Sequence, residues 1–215
     1  MHLTRLRIRE AMKKQSRAQR GAVVGVAEHG NSAVLVTLGP DTGFLDRRRI
    51  DLTTDLPTHP YHHEGSWAVG RYANSAWARK ISLPDAIKLV ERVHEAAARG
   101  ARESLESLAA AAPVDTIAIR VCPKLPETIE ERIRDTRAAN VADSIMYRQA
   151  LATAAEARGW AVYWYERDSV FDRAKAALKG KDLDPFLSAL GKSIGPPWQA
   201  SHKLATVAAL AASEP

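Results

Sequence analysis

The sequence predicts an α/β protein, built on a mixed five-stranded sheet with an antiparallel meander, two parallel strands and helices on both faces. Two observations carry this prediction. Three short β-rich runs separated by turn residues fill positions 22–52, and two further apolar runs, at 116–121 and 160–165, each follow a long helical segment. A β-α-β-α-β order behind a meander requires right-handed crossovers, which place helices on both faces of the sheet.

The first three strands are predicted from alternating β-rich runs and turn residues. The runs cover 22–26, 32–38 and 44–52, and Gly, Asn, Pro and Asp residues separate them. Short strands joined in this way are typical of an antiparallel meander. The run from Val34 to Leu38 is almost entirely apolar, which favours a strand covered on both faces.

Residues 53–83 lack a helical or strand period and are predicted to form an ordered loop insertion, rich in His, Trp and Tyr. Pro60 favours an extended segment here. The densest set of potential metal ligands in the chain lies in this loop: His59, His62, His63 and Glu64. Zinc binding is one interpretation. A hydrogen-bonded loop packed by aromatic rings is the favoured one, because the chain has one cysteine and no HExxH helix.

The second half of the chain alternates helices and strands. Ser82 and Pro84 predict the start of a helix that reaches residue 112, with Gly100 as a position where it could break. One long helix is predicted over about 127–158, ended by Gly159. Short helices are predicted within 168–190 and a last helix over about 199–212. Trp198 is expected to seat this last helix against the core.

The net charge of +6 comes entirely from the first twenty residues, which hold seven bases and one acid. The predicted organisation is therefore a basic arm, 1–20, and a single domain, 21–215. Arg5, Arg9, Lys13 and Arg17 recur every four residues and would share one helix face. They form either a solvated tail or an electrostatic contact for nucleic acid. The formally neutral remainder argues against phosphate neutralisation across the whole domain.

The composition is that of a globular domain, with 46% hydrophobic and 26% charged residues. A single cysteine, Cys122, excludes an internal disulfide and favours a reducing compartment. No uncharged apolar run approaches the length of a membrane span, and the basic N-terminus lacks the apolar stretch of a signal peptide. We therefore expect a cytoplasmic protein without a membrane partner.

The order of elements resembles the RNase H-like superfamily, particularly the branch around RuvC-type resolvases. The similarity is strongest at Val23-Val24-Gly25-Val26 in the first strand, Ile117-Ala118-Ile119 in the fourth and Ser201-His202-Lys203-Leu204-Ala205 in the last helix. It covers roughly residues 21–213. The segments 59–65, 141–159 and 195–202 also resemble an uncharacterised bacterial protein family, to which no activity is attached.

The resemblance implies a nuclease site in which carboxylates hold two divalent ions, Mg²⁺ or Mn²⁺. The position of the first-strand acid is matched by Ala27, with Glu28 next to it, and the fourth-strand acid by Arg120. His202 stands at the last-helix position. Two functions follow. The favoured one is a degenerate site that binds nucleic acid or a protein partner without catalysis. The alternative is an active metal-dependent nuclease with Glu28 and His202 as catalytic and metal-binding residues.

Charged residues also crowd the helical segment after the fourth strand. Opposite charges three and four positions apart, such as Glu130 and Arg134, favour a solvated face, to which Asp143 and Arg148 would also belong. A functional interpretation instead uses Arg120, Arg132 and Arg148 as a basic lining for phosphate, because guanidinium groups match phosphate geometry.

Overall fold

The computed structural model describes residues 21–66, 74 and 81–213 of the chain. The basic arm predicted at 1–20, with Arg5, Arg9, Lys13 and Arg17, lies outside these residues. The described elements are, in chain order, β1 (Ala22–His29), β2 (Ser32–Leu38), β3 (Phe44–Asp51), a π-helix (Pro60–Ser66), α1 (Leu83–Ala111), β4 (Val114–Arg120), α2 (Ile129–Arg134), α3 (Thr136–Glu156), β5 (Ala161–Tyr165), α4 (Val170–Ala177), α5 (Leu183–Ile194) and α6 (Ala200–Ala212).

The five strands form one mixed sheet in the order β3-β2-β1-β4-β5. β1 pairs antiparallel with β2, and β2 pairs antiparallel with β3, whereas β1, β4 and β5 run parallel. Helix α1 connects β3 to β4, and helices α2 and α3 connect β4 to the neighbouring parallel strand β5. This confirms the predicted α/β class and the predicted mixed sheet, in which an antiparallel meander is followed by parallel strands.

The strands of the meander follow the sequence pattern closely. β1 and β2 meet in a continuous register from Val23 opposite Leu38 to His29 opposite Ser32, across a turn in which Gly30 adopts φ +55°. A positive φ is readily adopted by glycine, which has no Cβ. Along β2 every residue except Val34 is buried, which confirms the strand covered on both faces.

Two apolar clusters cover the two faces of the sheet. Val24 and Val26 of β1 belong to the cluster that includes α1 and α3, whereas Val23 and Ala27 belong to the cluster that includes α4, α5 and α6. Successive side chains of a strand point to opposite faces, so β1 contributes to both clusters. We call these two sides the α3 face and the α6 face.

Helix α6 approaches β1 closely because Gly25 lacks a side chain. A Cβ at Gly25 would lie 1.8 Å from the carbonyl oxygen of Ala205 and 2.6 Å from the nitrogen of Ala209. Trp198 lies against Gly191 of α5 and beside His202 of α6, with its ring centroid 6.0 Å from that of His202. The close contact of α6 with β1 carries the first turn of the helix to the end of the strand, where the candidate site lies.

The helical segment after β4 is two helices rather than one. Asp135 ends α2 and begins α3, and its side chain accepts hydrogen bonds from the backbone N–H groups of Arg137 and Ala138. An acidic residue that satisfies the exposed N–H groups of a new helix start favours a break at that point. The prediction of one continuous helix over 127–158 was therefore wrong at Asp135.

Two further expectations differ from the structure. α1 runs through Gly100, where a Cβ would lie 2.3 Å from the carbonyl oxygen of Leu52, so this glycine permits close packing instead of a helix break. Residues 60–66 form a π-helix, although Pro60 favoured an extended segment. Pro60 is the first residue of that helix, where a missing backbone N–H costs no helical hydrogen bond. Within the described residues, no helix has the length and apolarity needed to cross a membrane.

Candidate nucleic-acid interface

A groove of about 770 Å³ lies at the carboxyl end of β1, between the sheet and the first turn of α6. We call it the β1 groove. Its walls come from β1, β2, β3, the turn after β5, α4 and α6, and consist of Ala27, Glu28, His29, Ser32, Ala33, Val34, Arg49, Arg167, Phe171, Pro197, Gln199, Ala200, Ser201, His202 and Leu204. Both residues predicted as catalytic, Glu28 and His202, therefore border one groove.

The carboxylate of Glu28 is nevertheless turned away from His202. Glu28 follows Val26 by two positions and shares its side of the strand, the α3 face, whereas Ala27 packs in the cluster with α6. The residue that the resemblance matches to the fold's first acid is thus a buried methyl group on the side of His202. The structure brings the two residues to one groove and separates their functional groups by the sheet.

Glu28 forms a buried ion pair with Arg148 of α3. The Nε of Arg148 donates to Oε1 of Glu28 at 2.6 Å, and Nη2 contacts the same oxygen. The Nη1 of Arg148 donates to the carbonyl oxygen of Val121 at 3.0 Å, immediately after β4. The two side chains are only 9% and 8% exposed, so this carboxylate is charge-compensated inside the protein.

The side chain of His202 takes part in capping the N-terminus of α6. Its Nδ1 accepts a hydrogen bond from the backbone N–H of Gln199 at 3.1 Å, and the side chain of Gln199 completes a reciprocal capping box. Burial lowers the pKa of His202, and the charge of Arg47 lowers it further. The lowered pKa favours the neutral imidazole, and one of its ring nitrogens is already engaged in the hydrogen bond to Gln199.

The donor set at this site does not fit a two-metal centre. Among residues 21–66, 74 and 81–213, no group of three or more His, Cys, Asp or Glu side chains is placed to hold a metal ion. Of the expected acid positions, Ala27 offers no ligand, Arg120 is a cation, and the carboxylate of Glu28 is neutralised by Arg148. Mg²⁺ prefers several oxygen ligands, and these side chains do not supply them.

The open side of the β1 groove is cationic and partly apolar. Arg49 of β3 is 70% exposed, although its guanidinium also contacts Ser32 at 3.3 Å and Asp51 at 3.5 Å. Arg167 is exposed in the turn after β5, and Phe171 on α4 is 42% exposed. None of these three residues was singled out by the sequence reasoning. The signal available was a run of three arginines in β3 and an Arg placed four residues before a Phe.

The three arginines proposed as a basic lining do not share one environment. Arg148 is buried in the ion pair with Glu28. Arg132 donates to the carbonyl oxygens of Pro126 at 2.7 Å and Glu127 at 3.1 Å and to the hydroxyl of Tyr61 at 3.3 Å. Arg120 is half-buried at the end of β4. Their assignment to nucleic acid stays a prediction, as does that of the arm residues.

Asp143 of α3 holds the histidine-rich segment in place. Its carboxylate accepts hydrogen bonds from the backbone N–H groups of Tyr61 at 2.9 Å and His62 at 3.1 Å, and it lies 3.8 Å from Nδ1 of His59. Asp143 is 3% exposed, and burial raises its pKa to about 7. The expected solvated face was therefore wrong for both Asp143 and Arg148. The overlooked signal was their position among apolar residues of the helix.

The histidines themselves pack against each other. The ring centroids of His59 and His63 lie 5.1 Å apart, and those of His62 and His63 lie 4.9 Å apart. Burial lowers the pKa of His59 and of His62, and the neighbouring imidazoles lower both further. The hydroxyl of the buried Tyr61 lies 3.1 Å from Nε2 of His94 on α1. The segment is thus a packed, hydrogen-bonded part of the α3 face, in line with the favoured interpretation.

Comparisons with known proteins leave the family open. No protein-family model matches the chain, and no curated protein matches it. Among solved structures, the chain is similar to the RuvC structure of Thermus thermophilus, with 15% sequence identity and a TM-score of 0.43. That similarity covers 88% of this chain and 92% of the RuvC chain. The fold assignment rests on the strand order and pairing of this chain.

Proposed function

We propose that this chain is a non-catalytic RNase H-like domain that binds nucleic acid in the β1 groove. The observation that carries the proposal is the buried pair of Glu28 with Arg148, which removes the nearest carboxylate from the groove. The groove then presents Arg49 and Arg167 without a competing acid from β1. A negatively charged backbone is the ligand that such a surface attracts.

The mixture of charge and exposed aromatic surface favours a single strand. Arg49 and Arg167 supply contacts for phosphates, and Phe171 supplies an exposed ring on which an unpaired base stacks. Base stacking on an aromatic side chain contributes about 1–3 kcal/mol. The basic arm, through Arg5, Arg9, Lys13 and Arg17, adds further electrostatic attraction in this proposal.

Binding is tested by fluorescence anisotropy with single-stranded and duplex DNA and RNA oligonucleotides over a range of salt concentrations. We expect the wild type to favour single strands, and Arg49→Ala and Arg167→Ala each to weaken binding and to reduce the salt slope by about 0.7. Phe171→Ala should weaken binding with little change in salt slope. Arg99→Ala, which removes an exposed cation from α1 on the α3 face, is the matched control.

Deletion of residues 1–20 should weaken binding and flatten its salt dependence, because the whole net charge of +6 would be lost. Unchanged affinity and slope would refute a direct contact by the arm. If no oligonucleotide binds at all, the proposal fails, and binding of a protein partner becomes the favoured function of the groove.

The absence of catalysis is tested separately, by incubating single-stranded, duplex and branched DNA and RNA with Mg²⁺ or Mn²⁺. We expect no cleavage above that of a mock preparation. Cleavage by the wild type that Glu28→Ala or His202→Ala abolishes would overturn the proposal and establish the metal-dependent nuclease in its place.

A further inference from the structure

The two edges of the sheet differ in how they are protected from pairing. The β3 edge carries Asp46, Asp51 and the three arginines of 47–49. Charged side chains of this kind discourage further strand addition. The β5 edge has the sequence Ala-Val-Tyr-Trp-Tyr without a charge, and no described strand pairs with its outer side. Trp164, the fourth of the five residues of β5, is 41% exposed.

The backbone pairing identifies which groups of β5 are directed outward. The N–H of Val121 donates to the carbonyl oxygen of Tyr165 at 2.9 Å, so Tyr165 directs its backbone groups toward β4. In a parallel ladder these directions alternate along the strand. Tyr163 and Ala161 therefore also face β4, whereas Val162 and Trp164 direct their N–H and C=O groups to the open edge.

We propose that two copies of this chain associate through β5, paired antiparallel about Tyr163. In this register Val162 of one copy lies opposite Trp164 of the second copy, and both have outward-directed backbone groups. Each such pair exchanges two hydrogen bonds, so the donors and acceptors of the two edges match. Trp164 then packs beside Val162 of the second copy on one face, an aromatic and β-branched pair that is favourable between strands.

Charge on the flanks of β5 favours a second copy in the antiparallel sense. Arg158, with its guanidinium carbon 5.7 Å from the ring centroid of Trp160, is exposed before the strand, and Glu166 is exposed directly after it. In this register Arg158 of each copy lies opposite the exposed Asp168 of the other, and Glu166 lies two positions nearer to the strand. Parallel pairing would place like charges together. The β1 grooves, which include Arg167 and Phe171, would lie on either side of the two-fold axis.

Sedimentation equilibrium of the purified full chain over a wide concentration range tests this interface. We expect a reversible species of twice the 23.5 kDa chain mass, which Trp164→Lys shifts to monomer by at least tenfold in dissociation constant. Leu45→Lys is the matched control, because Leu45 is 50% exposed on the opposite edge strand and should leave the association unchanged. Circular dichroism establishes that both variants fold.

A charge exchange tests the register without altering the strand. Arg158→Glu and Asp168→Arg should each weaken association, and the double variant should restore it, because the register places these two positions opposite each other. Amide hydrogen exchange gives an independent reading: Val162 and Trp164 should become protected as concentration rises, whereas Tyr163 should be protected throughout. The proposal would be overturned if the wild type stayed monomeric or if Trp164→Lys dimerised as well as the wild type. It would also be overturned if protection of the amide groups did not alternate along β5 in this way. Self-association is independent of nucleic-acid binding, so either can fail alone.

Discussion

The two faces of the sheet differ in whether their charged side chains are buried or exposed to a ligand. On the α3 face, Glu28, Arg148 and Asp143 are buried and engaged by groups of the chain itself. On the α6 face, close packing of small residues against β1 leaves the β1 groove open beyond Ala27, with Arg49 and Arg167 at its rim. The difference teaches that Glu28 and Asp143 are engaged inside the fold and are not available to a ligand, whereas the groove on the other face offers cationic and aromatic side chains.

The largest effect is expected from breaking the buried pair on the α3 face. Arg148→Ala should lower the free energy of unfolding by about 3–5 kcal/mol, because Glu28 would keep a buried charge without its partner. Urea denaturation measures this. The double variant Arg148→Met with Glu28→Gln should recover most of the loss, since neither charge then remains. A loss below about 1 kcal/mol for Arg148→Ala would mean that Glu28 is hydrated and accessible.

Asp143 should make the α3 face sensitive to pH. Its folded pKa of about 7 lies above the ordinary value of 3.8, so between these pH values the folded state keeps a proton that the unfolded state releases. The contribution of Asp143 to stability therefore falls as pH rises through this window and is constant above it. We expect Asp143→Asn to gain about 2–3 kcal/mol relative to wild type between pH 5 and pH 8, at about 1.4 kcal/mol per pKa unit.

Urea midpoints and slopes of both proteins at each pH provide this comparison. His59 and His62, which contact Asp143, are present in both proteins, so the part of their titration that does not depend on the Asp143 charge cancels in the difference. A stability difference that does not change with pH would contradict the raised pKa of Asp143.

The α6 face is tested by adding one methyl group. Gly25→Ala should destabilise the protein by about 1–3 kcal/mol, because its Cβ meets the backbone of α6 and forces the helix away from β1. Gly43→Ala is the matched control, since a Cβ there has no atom within 4 Å, and it should change stability by less than about 1 kcal/mol. Thermal unfolding of the two variants distinguishes the outcomes. If Gly25→Ala were as stable as Gly43→Ala, α6 would be able to move away from β1 without loss of stability.

His202 should give the smallest effect. His202→Ala removes the acceptor for the N–H of Gln199 and should cost about 1 kcal/mol at pH 8. Because burial lowers the pKa of His202, its protonation opposes folding, and wild-type stability from this group is lost as pH falls below 6.5. The difference between wild type and variant should therefore shrink at pH 5.5. Ser201→Ala, on the same helical turn, serves as control and should show no such pH dependence.

Much of the fold followed from local pattern. The turn residues and alternating runs predicted β1 to β3, and the apolar runs predicted β4 and β5 within a residue or two of their bounds. The helix break at Asp135 was not predicted, because the capping role of Asp135 depends on two N–H groups that become available only when the helix breaks there. The packing role of Gly100 was not predicted, because the backbone that it packs against belongs to Leu52, which is distant in sequence.

The candidate site was predictable only in its residue types. The sequence alone determined that the expected acid positions hold Ala27, Arg120 and His202, and that the net charge lies in residues 1–20. Tertiary structure alone determined that Arg148 neutralises Glu28, that Asp143 anchors the histidine segment and that Arg49, Arg167 and Phe171 share one groove. The physical reason is range: strand and helix periods are properties of neighbouring residues, whereas charge compensation and burial depend on contacts that cross 82 to 120 positions of the chain.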